Sequence, residues 1–380
     1  MEIPHELITS TARLEEALGD LDGPIAVDTE FHSERHYYPR LKLVQLCATG
    51  GVPLLVDPKS IRDLKPIGAA LSGRTLIVHA LSQDLPLLVR HTGLEPGLVI
   101  DPQVLAGFSG YGYPRGLTEL VSRVLGETLP SGVSLSNWGQ RPLSDEQLSY
   151  AAADVIRLHA LAEALQEALP EHRQSWAADA TAELAAQSLR GPDGVRMWRY
   201  VPGAAVLDGR GRALFQRLVE WREALARSYD QPRWQVASDA ALLDIARRRP
   251  NNLSALTENR RLPKRLSREL APRVLSMVAE VEALPEERLP PSVAVRRESA
   301  MAEALLTAWA HGVEVERDIS AALALPQRLR RDLVLHWREP RWPEALQGWR
   351  ERAFGDELRA LLAGEISLTI IRNSKNDHES

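Results

Sequence analysis

The spacing of hydrophobic and polar positions changes period several times in the first half of the chain and settles to one period in the second. Pro24-Ile25-Ala26-Val27-Asp28 reads as a strand, followed by strands at 41–48 and 52–56 with Gly50-Gly51 between them as a hairpin turn. A fourth strand at 75–79 runs into a helical pattern at 83–90. Helices follow at 101–108, 117–125 and 144–169, the last opening with Ser144 and, three residues on, Gln147, a capping box. Hairpin-linked strands followed by alternating strand and helix predict an α/β domain over 1–195, a mixed sheet covered by helices.

Near residue 190 the pattern breaks, with Gly191-Pro192-Asp193-Gly194 and Pro202-Gly203 as turn signals. Beyond it, helical periodicity covers 212–227, 239–249, 253–257 and 264–284, until Pro285 and the Pro290-Pro291 pair mark a second break. This predicts an all-α module at 208–288. A further helical block, 298–362, is assigned to a domain at 295–370 and read as a diverged copy of the first; 373–380 reads as a disordered tail.

Composition narrows the classes of function. With 380 residues the chain can form two or three cores, and 44% hydrophobic with 26% charged residues is ordinary for a water-soluble protein. No run reaches the roughly 18 apolar residues of a membrane span, and Met1 to His5 lack a signal peptide's basic and apolar regions, so a cytoplasmic location is expected. The single Cys47 excludes an internal disulfide and a cysteine-based zinc site. The net charge of -5 conceals an asymmetry: 1–195 carries 15 basic and 25 acidic residues, 196–290 carries 18 and 12, and the rest 13 and 14. An acidic block followed by a basic one suits a carboxylate-rich metal site beside a polyanion-binding module.

Asp28 and Glu30 lie two apart on a predicted strand, so their side chains leave one face and can share a cation. Val27 and Phe31 make that strand partly buried, where paired carboxylates repel unless a cation compensates them. Asp84 starts a helix that follows directly from a strand, a position the helix macrodipole also favours. Tyr150 and Asp154 are four apart on one helix face, separated by three alanines that let another segment approach closely.

Together these segments resemble ribonuclease D. The resemblance rests on Val27-Asp28-Thr29-Glu30-Phe31, Tyr37-Tyr38-Pro39, Leu43-Val44-Gln45-Leu46, His79-Ala80 with Gln83-Asp84-Leu85, and Trp138 with Arg141-Pro142-Leu143 through Tyr150 to Asp154, in that family's order and spacing. It implies an RNase H-like 3′→5′ exonuclease fold of the DEDD class, with Asp28, Glu30, Asp84 and Asp154 as metal ligands and Tyr150 marking the tyrosine branch. The region 208–284 resembles the HRDC module, through Leu242-Leu243-Asp244-Ile245-Ala246, Pro250 and Leu253.

Phosphodiester hydrolysis needs a hydroxide at neutral pH and stabilisation of the leaving oxygen, which two divalent cations about 4 Å apart can supply. Oxygen ligands suit Mg²⁺ or Mn²⁺. In this expectation Asp28 bridges both ions, Glu30 and Asp154 complete the water-activating site, Asp84 holds the second through waters, and Tyr150 orients the attacking water. Phe31 and Leu85 either pack against the terminal nucleotide or belong to the core; His79, Gln83, Trp138 and Arg141 complete the expected substrate contacts. Arg247, Arg248, Arg249, Arg260, Arg261, Lys264, Arg265 and Arg268 form either a phosphate-binding surface or a solvated helix face. Ser131 and Asn137 stand where the family usually has Lys and Asp, so a phosphate contact is lost there. The expected partner is RNA with a 3′ end, such as a transfer RNA precursor, handled by a monomer. DNA exonuclease activity and non-catalytic nucleic-acid binding are the competing readings.

Overall fold

Six strands form one mixed sheet. They are β1 (Glu6–Ile8), β2 (Ile25–His32), β3 (Arg40–Ala48), β4 (Leu54–Val56), β5 (Leu76–Ile77) and β6 (Val99–Ile100), in the order β1-β4-β3-β2-β5-β6. The β4, β3 and β2 strands are antiparallel to their neighbours within that trio, whereas β1, β5 and β6 join in parallel. The Gly50-Gly51 turn closes the β3-β4 hairpin, with the Gly51 N–H on the Ala48 carbonyl at 3.0 Å. The computed structural model describes residues 3–130, 132–133, 136–191, 198–204, 206–258, 262–263, 268–290, 297–336, 343 and 346–369.

Side-chain alternation along β2 divides the sheet's two faces. Ile25 and Val27 point into a core built with α1 (Thr11–Gly19), α2 (Lys65–Leu71) and α3 (Asp84–Thr92), where Leu14, Leu18, Ile67, Leu71, Leu85 and Leu88 are buried. Asp28 and Glu30 leave the opposite face, opposite Gln45 and Leu43 on β3. That face packs against α6 (Asp145–Ile156), whose Ala151 and Ala152 meet Leu43, Leu55, Trp138 and Leu143. The expected capping box is present: the Gln147 N–H bonds to Ser144 Oγ at 3.2 Å, and the Ser144 N–H to Gln147 Oε1 at 3.1 Å.

The structure departs from the sequence expectations in several places. The helix expected over 144–169 is two, α6 and α7 (Leu158–Glu167), parted at Arg157. The strand expected over 75–79 is ordered as a strand only at Leu76–Ile77, because the chain turns at Ala80, which adopts a positive φ of 58°. The helix over 117–125 is α5 (Leu117–Leu120) followed by one π turn, Val121–Leu125. Two short edge strands, β1 and β6, and the helices α1, α2 and α8 (Glu171–Arg190) were not anticipated. Helix α4 (Pro102–Phe108) is as expected but for its first residue.

Beyond α8, the chain is helical among the described residues: α9 (Gly209–Tyr229), α10 (Arg233–Val236), α11 (Asp239–Arg248), α12 (Leu253–Thr257), α13 (Ala271–Glu282), α14 (Arg297–Arg317), α15 (Ala321–Ala324), α16 (Gln327–His336) and α17 (Trp349–Ala363), besides two short 3₁₀ turns. Asp208, Ser238 and Asn252 cap α9, α11 and α12 by accepting from backbone N–H groups. Leu214, Phe215, Leu218, Leu242, Ile245, Val274 and Val281 form this module's core. The expected tail 373–380 lies outside the described residues.

By contacts the chain divides into two units: Met1–Pro102, Gly116–Ala164 and Thr181–Val295 in the first, and Gln103–Arg115, Leu165–Ala180 and Arg296–Ser380 in the second. The first therefore contains both the sheet and helices α9 to α13. The second is centred on Phe108, Trp309, Trp349 and Phe354, with ring centroids 5.0 Å apart for Phe108–Trp349 and 5.3 Å for Trp309–Phe354. Gly107 lets the segments approach closely there, since a Cβ on it would lie 2.8 Å from the Tyr113 Cβ and 2.3 Å from the end of the Leu323 side chain. None of the helices is long and apolar enough to cross a membrane among the described residues.

Candidate active site

Strand β2 and helix α6 bring Asp28, Glu30 and Asp154 together, with ligand oxygens all within 4.8 Å of one another. Asp84 joins from the start of α3: its Oδ1 accepts a hydrogen bond from the buried hydroxyl of Thr29, which sits between the two β2 acids. Tyr150 lies one turn before Asp154 on α6, on the same helix face, near enough to its carboxylate to favour the charged form. All five expected side chains therefore converge.

The electrostatics follow from burying four acids together. Burial raises the Asp28 pKa well above the ordinary carboxylate range, and the charges of Asp84, Asp154 and Glu30 raise it further. Burial, with the charges of Asp154 and Asp84, pushes Glu30 up to about 8. Burial likewise lifts Asp154 to about 7 and Asp84 to about 6, against the nearby Tyr150 hydroxyl and the hydrogen bond from Thr29, respectively. Tyr150 is raised by burial and by its anionic neighbours, so it keeps its proton at neutral pH. A divalent cation would relieve this repulsion, and an all-oxygen donor set of this spacing fits a hard ion.

Several residues that hold the site in place were invisible to sequence reasoning. The carboxylate of Asp101 accepts the N–H groups of Ala80 and Leu81, both at 3.0 Å. It thereby stabilises the left-handed turn that delivers Asp84; an aspartate directly before a proline reads only as a helix start. Thr29 lies between the two acids of the motif, and nothing in the sequence marks its partner.

The expected substrate contacts fare differently from the acids. Arg141 spends all five of its N–H donors on protein acceptors: Asp57 at 2.8 and 2.6 Å, and the carbonyls of Trp138, Gln140 and Lys42 at 2.8, 2.7 and 2.9 Å. Lys42 is the residue skipped where the β2-β3 register shifts beside Glu30 and Phe31. Arg141 thus braces this bulge from within, and no donor remains for a phosphate. Trp138 is 1% exposed and packs 6.2 Å from the Tyr150 ring, and Leu85 is fully buried under the sheet. Both are core residues that support the site. Phe31 and His79 are half-buried, and Gln83 is exposed immediately before α3. Asn137 accepts the Gly139 N–H at 3.1 Å, so it keeps a turn that an aspartate could also close; Ser131 lies outside the described residues.

Of the basic cluster, Arg248 pairs with Asp244 and Glu258, and Arg249 with Asp208 and Glu282. These pairings bind the guanidinium groups into the helical module, which speaks against a phosphate role for them. Arg247 and Arg268 are exposed. Arg260, Arg261, Lys264 and Arg265 lie outside the described residues.

Comparison with known proteins agrees with this geometry. Residues 5–170 match the 3′-5′ exonuclease family and residues 211–278 the HRDC domain. Fold and site define a metal-dependent 3′→5′ exonuclease carrying an HRDC module. The chain is 32% identical over 354 residues to ribonuclease D of Gluconacetobacter diazotrophicus, covering 91% of this chain and 89% of that one. It is 31% identical over 354 residues to ribonuclease D of Escherichia coli K12, covering 89% and 92%. It also superposes on the crystal structure of Escherichia coli RNase D, an exoribonuclease involved in structured RNA processing, with a TM-score of 0.83, 30% identity and coverage of 95% and 99%. The chain belongs to the ribonuclease D family of 3′→5′ exoribonucleases.

Proposed function

We propose that this exoribonuclease removes nucleoside 5′-monophosphates one at a time from RNA 3′ ends, with Asp28, Glu30, Asp84 and Asp154 holding two divalent cations, Mg²⁺ or Mn²⁺. The convergence of three carboxylates within 4.8 Å beside a fourth carries this reading. When bound, such cations supply an acidified water at neutral pH and neutralise charge on the leaving oxygen. Tyr150 keeps its proton beside Asp154, so its part is to orient groups at the site rather than to act as base. Phe31, His79 and Gln83 are the side chains left to meet the terminal nucleotide.

The RNA body is read as lying on the helical module, through Arg247, Arg268 and the basic residues between 260 and 265. Helix order supports a second, diverged copy of that module: a long helix, a one-turn helix and a medium helix follow one another in α9, α10 and α11 and again in α14, α15 and α16. Processing of transfer RNA precursors or other stable RNA, by a monomer in the cytoplasm, completes the proposal; the buried, free Cys47 suits a reducing compartment.

Release of labelled nucleotide from 3′-labelled RNA and DNA, in Mn²⁺, Mg²⁺ or EDTA, tests the reading. Metal-dependent release from RNA is expected. Release that persists in EDTA would refute the metal site, and preferential release from DNA would refute the substrate.

A further inference from the structure

Strand β2 carries Asp28 and Glu30, ends at His32 and returns as β3 at Arg40. The turn between them, residues 33–39, would be an exposed tip on a sheet domain standing alone. Here it is gripped by the end of α9. Asp230, which closes α9 in the left-handed conformation at φ 49°, accepts the Tyr38 N–H at 3.0 Å and the Arg40 guanidinium at 2.6 Å, and lies 3.1 Å from His36. Glu223, 4% exposed, accepts the Tyr37 hydroxyl and binds Arg233 at 2.5 Å. Arg227 donates to the Tyr37 oxygen at 2.9 Å, and the Arg90 guanidinium lies 3.5 Å over the Tyr38 ring.

These contacts are polar, specific and confined to three successive positions, His36 to Tyr38, and Arg40. Arg141 fixes the β3 bulge beside Glu30 and Phe31 from within the sheet domain, and the α9 clamp fixes the same hairpin at its tip. With both in place, the segment that follows the two acids has little freedom to fray.

We propose that the HRDC module is a structural part of the active site: through Glu223 and Asp230 it clamps the 36–40 turn and so positions Glu30 and Phe31 for the reaction. Tyr37, Glu223 and Asp230 are positioning residues, whose loss slows turnover rather than weakening RNA binding. This rests on the metal-site assignment above.

The test is steady-state hydrolysis of a 3′-labelled hexaribonucleotide by full-length Tyr37→Phe and Asp230→Ala, with thermal unfolding to confirm that each is folded. A fall in kcat of about tenfold is expected, since small misplacements near reacting groups cost that much and more. KM should change less than twofold, and Asp230→Asn, which keeps an acceptor for the Tyr38 N–H, should recover most of the rate. Asp28→Asn is measured in parallel. Should Asp28→Asn turn over normally, the site reading fails. Should it be inactive while folded Tyr37→Phe and Asp230→Ala match wild-type kcat, or lose only in KM, the clamp is refuted and the site stands. If Asp230→Ala does not fold, Tyr37→Phe, which removes one hydroxyl, still decides.

Discussion

Two buried clusters of ionisable groups in the first unit answer the same burden in opposite ways. Around Glu223, burial pushes the carboxyl up, but hydrogen bonds from Arg233 and Tyr37 outweigh it and hold the acid below its usual range. Around Asp28, burial is joined by the repulsion of three further acids, and the pKa values rise. The first cluster is compensated by its own cations. The second gathers acids that are relieved by taking up protons or by an added cation, which is what a site built for function rather than stability looks like.

The sharpest way to break this contrast is to neutralise one site acid. Asp28→Asn or Asp154→Asn is expected to abolish nucleotide release while leaving RNA binding largely intact, by activity and filter-binding assays; retained turnover would remove the acid from the site. Next in size is Arg141→Leu, which strands the buried Asp57 carboxylate. Burial raises that acid, the Arg141 hydrogen bonds lower it, and the latter win. The loss in unfolding free energy should be about 3–5 kcal/mol, and Arg141→Lys should not rescue it, because a lysine cannot supply five donors in a fixed fork.

Tyr150→Phe should slow release by roughly 10- to 100-fold, the range for groups that orient metal ligands, without altering stability in proportion. The comparison is sharpened by stability itself. In EDTA, Asp154→Asn should raise the melting temperature by relieving repulsion, whereas Glu223→Gln should lower stability by about 1.5–3 kcal/mol by weakening charge-assisted bonds. If both change in the same direction, the two clusters do not differ as described.

The smallest effect is on pH dependence. Glu30, Asp154 and Asp84 are raised to about 8, 7 and 6 in the folded, metal-free chain. The folded state therefore binds more protons than the unfolded state above about pH 4. Their contribution to stability is fully present below about pH 4 and is lost progressively from there as pH rises through the folded values, up to about 8. Melting temperatures in EDTA should fall across that window, and added Mn²⁺ should flatten the fall.

Two pairs at the site were legible locally, since two carboxylates share a buried strand face and tyrosine and aspartate share a helix face; Asp84, and the grouping of all five, were legible through the resemblance to ribonuclease D. The supporting residues were not. Asp101, Thr29 and Asp57 act through partners 20, 55 and 84 positions away, and no local pattern reveals such pairs. Leu85 sits beside Asp84 in sequence, but helix rotation directs it inward, and Trp138 is buried behind Tyr150. The sheet's edge strands, two or three residues each, are too short to show a period. The joining of 103–115 and 165–180 with the last helical block depends on long-range packing around Phe108 and Trp349, which the spacing of apolar residues does not encode.

The most direct test of the central claim is anomalous diffraction from crystals of the full chain grown with Mn²⁺. The expected result is two peaks within reach of Asp28, Glu30, Asp84 and Asp154, lost in Asp28→Asn crystals grown alike. Mn²⁺ peaks elsewhere with none at these four carboxylates would contradict it.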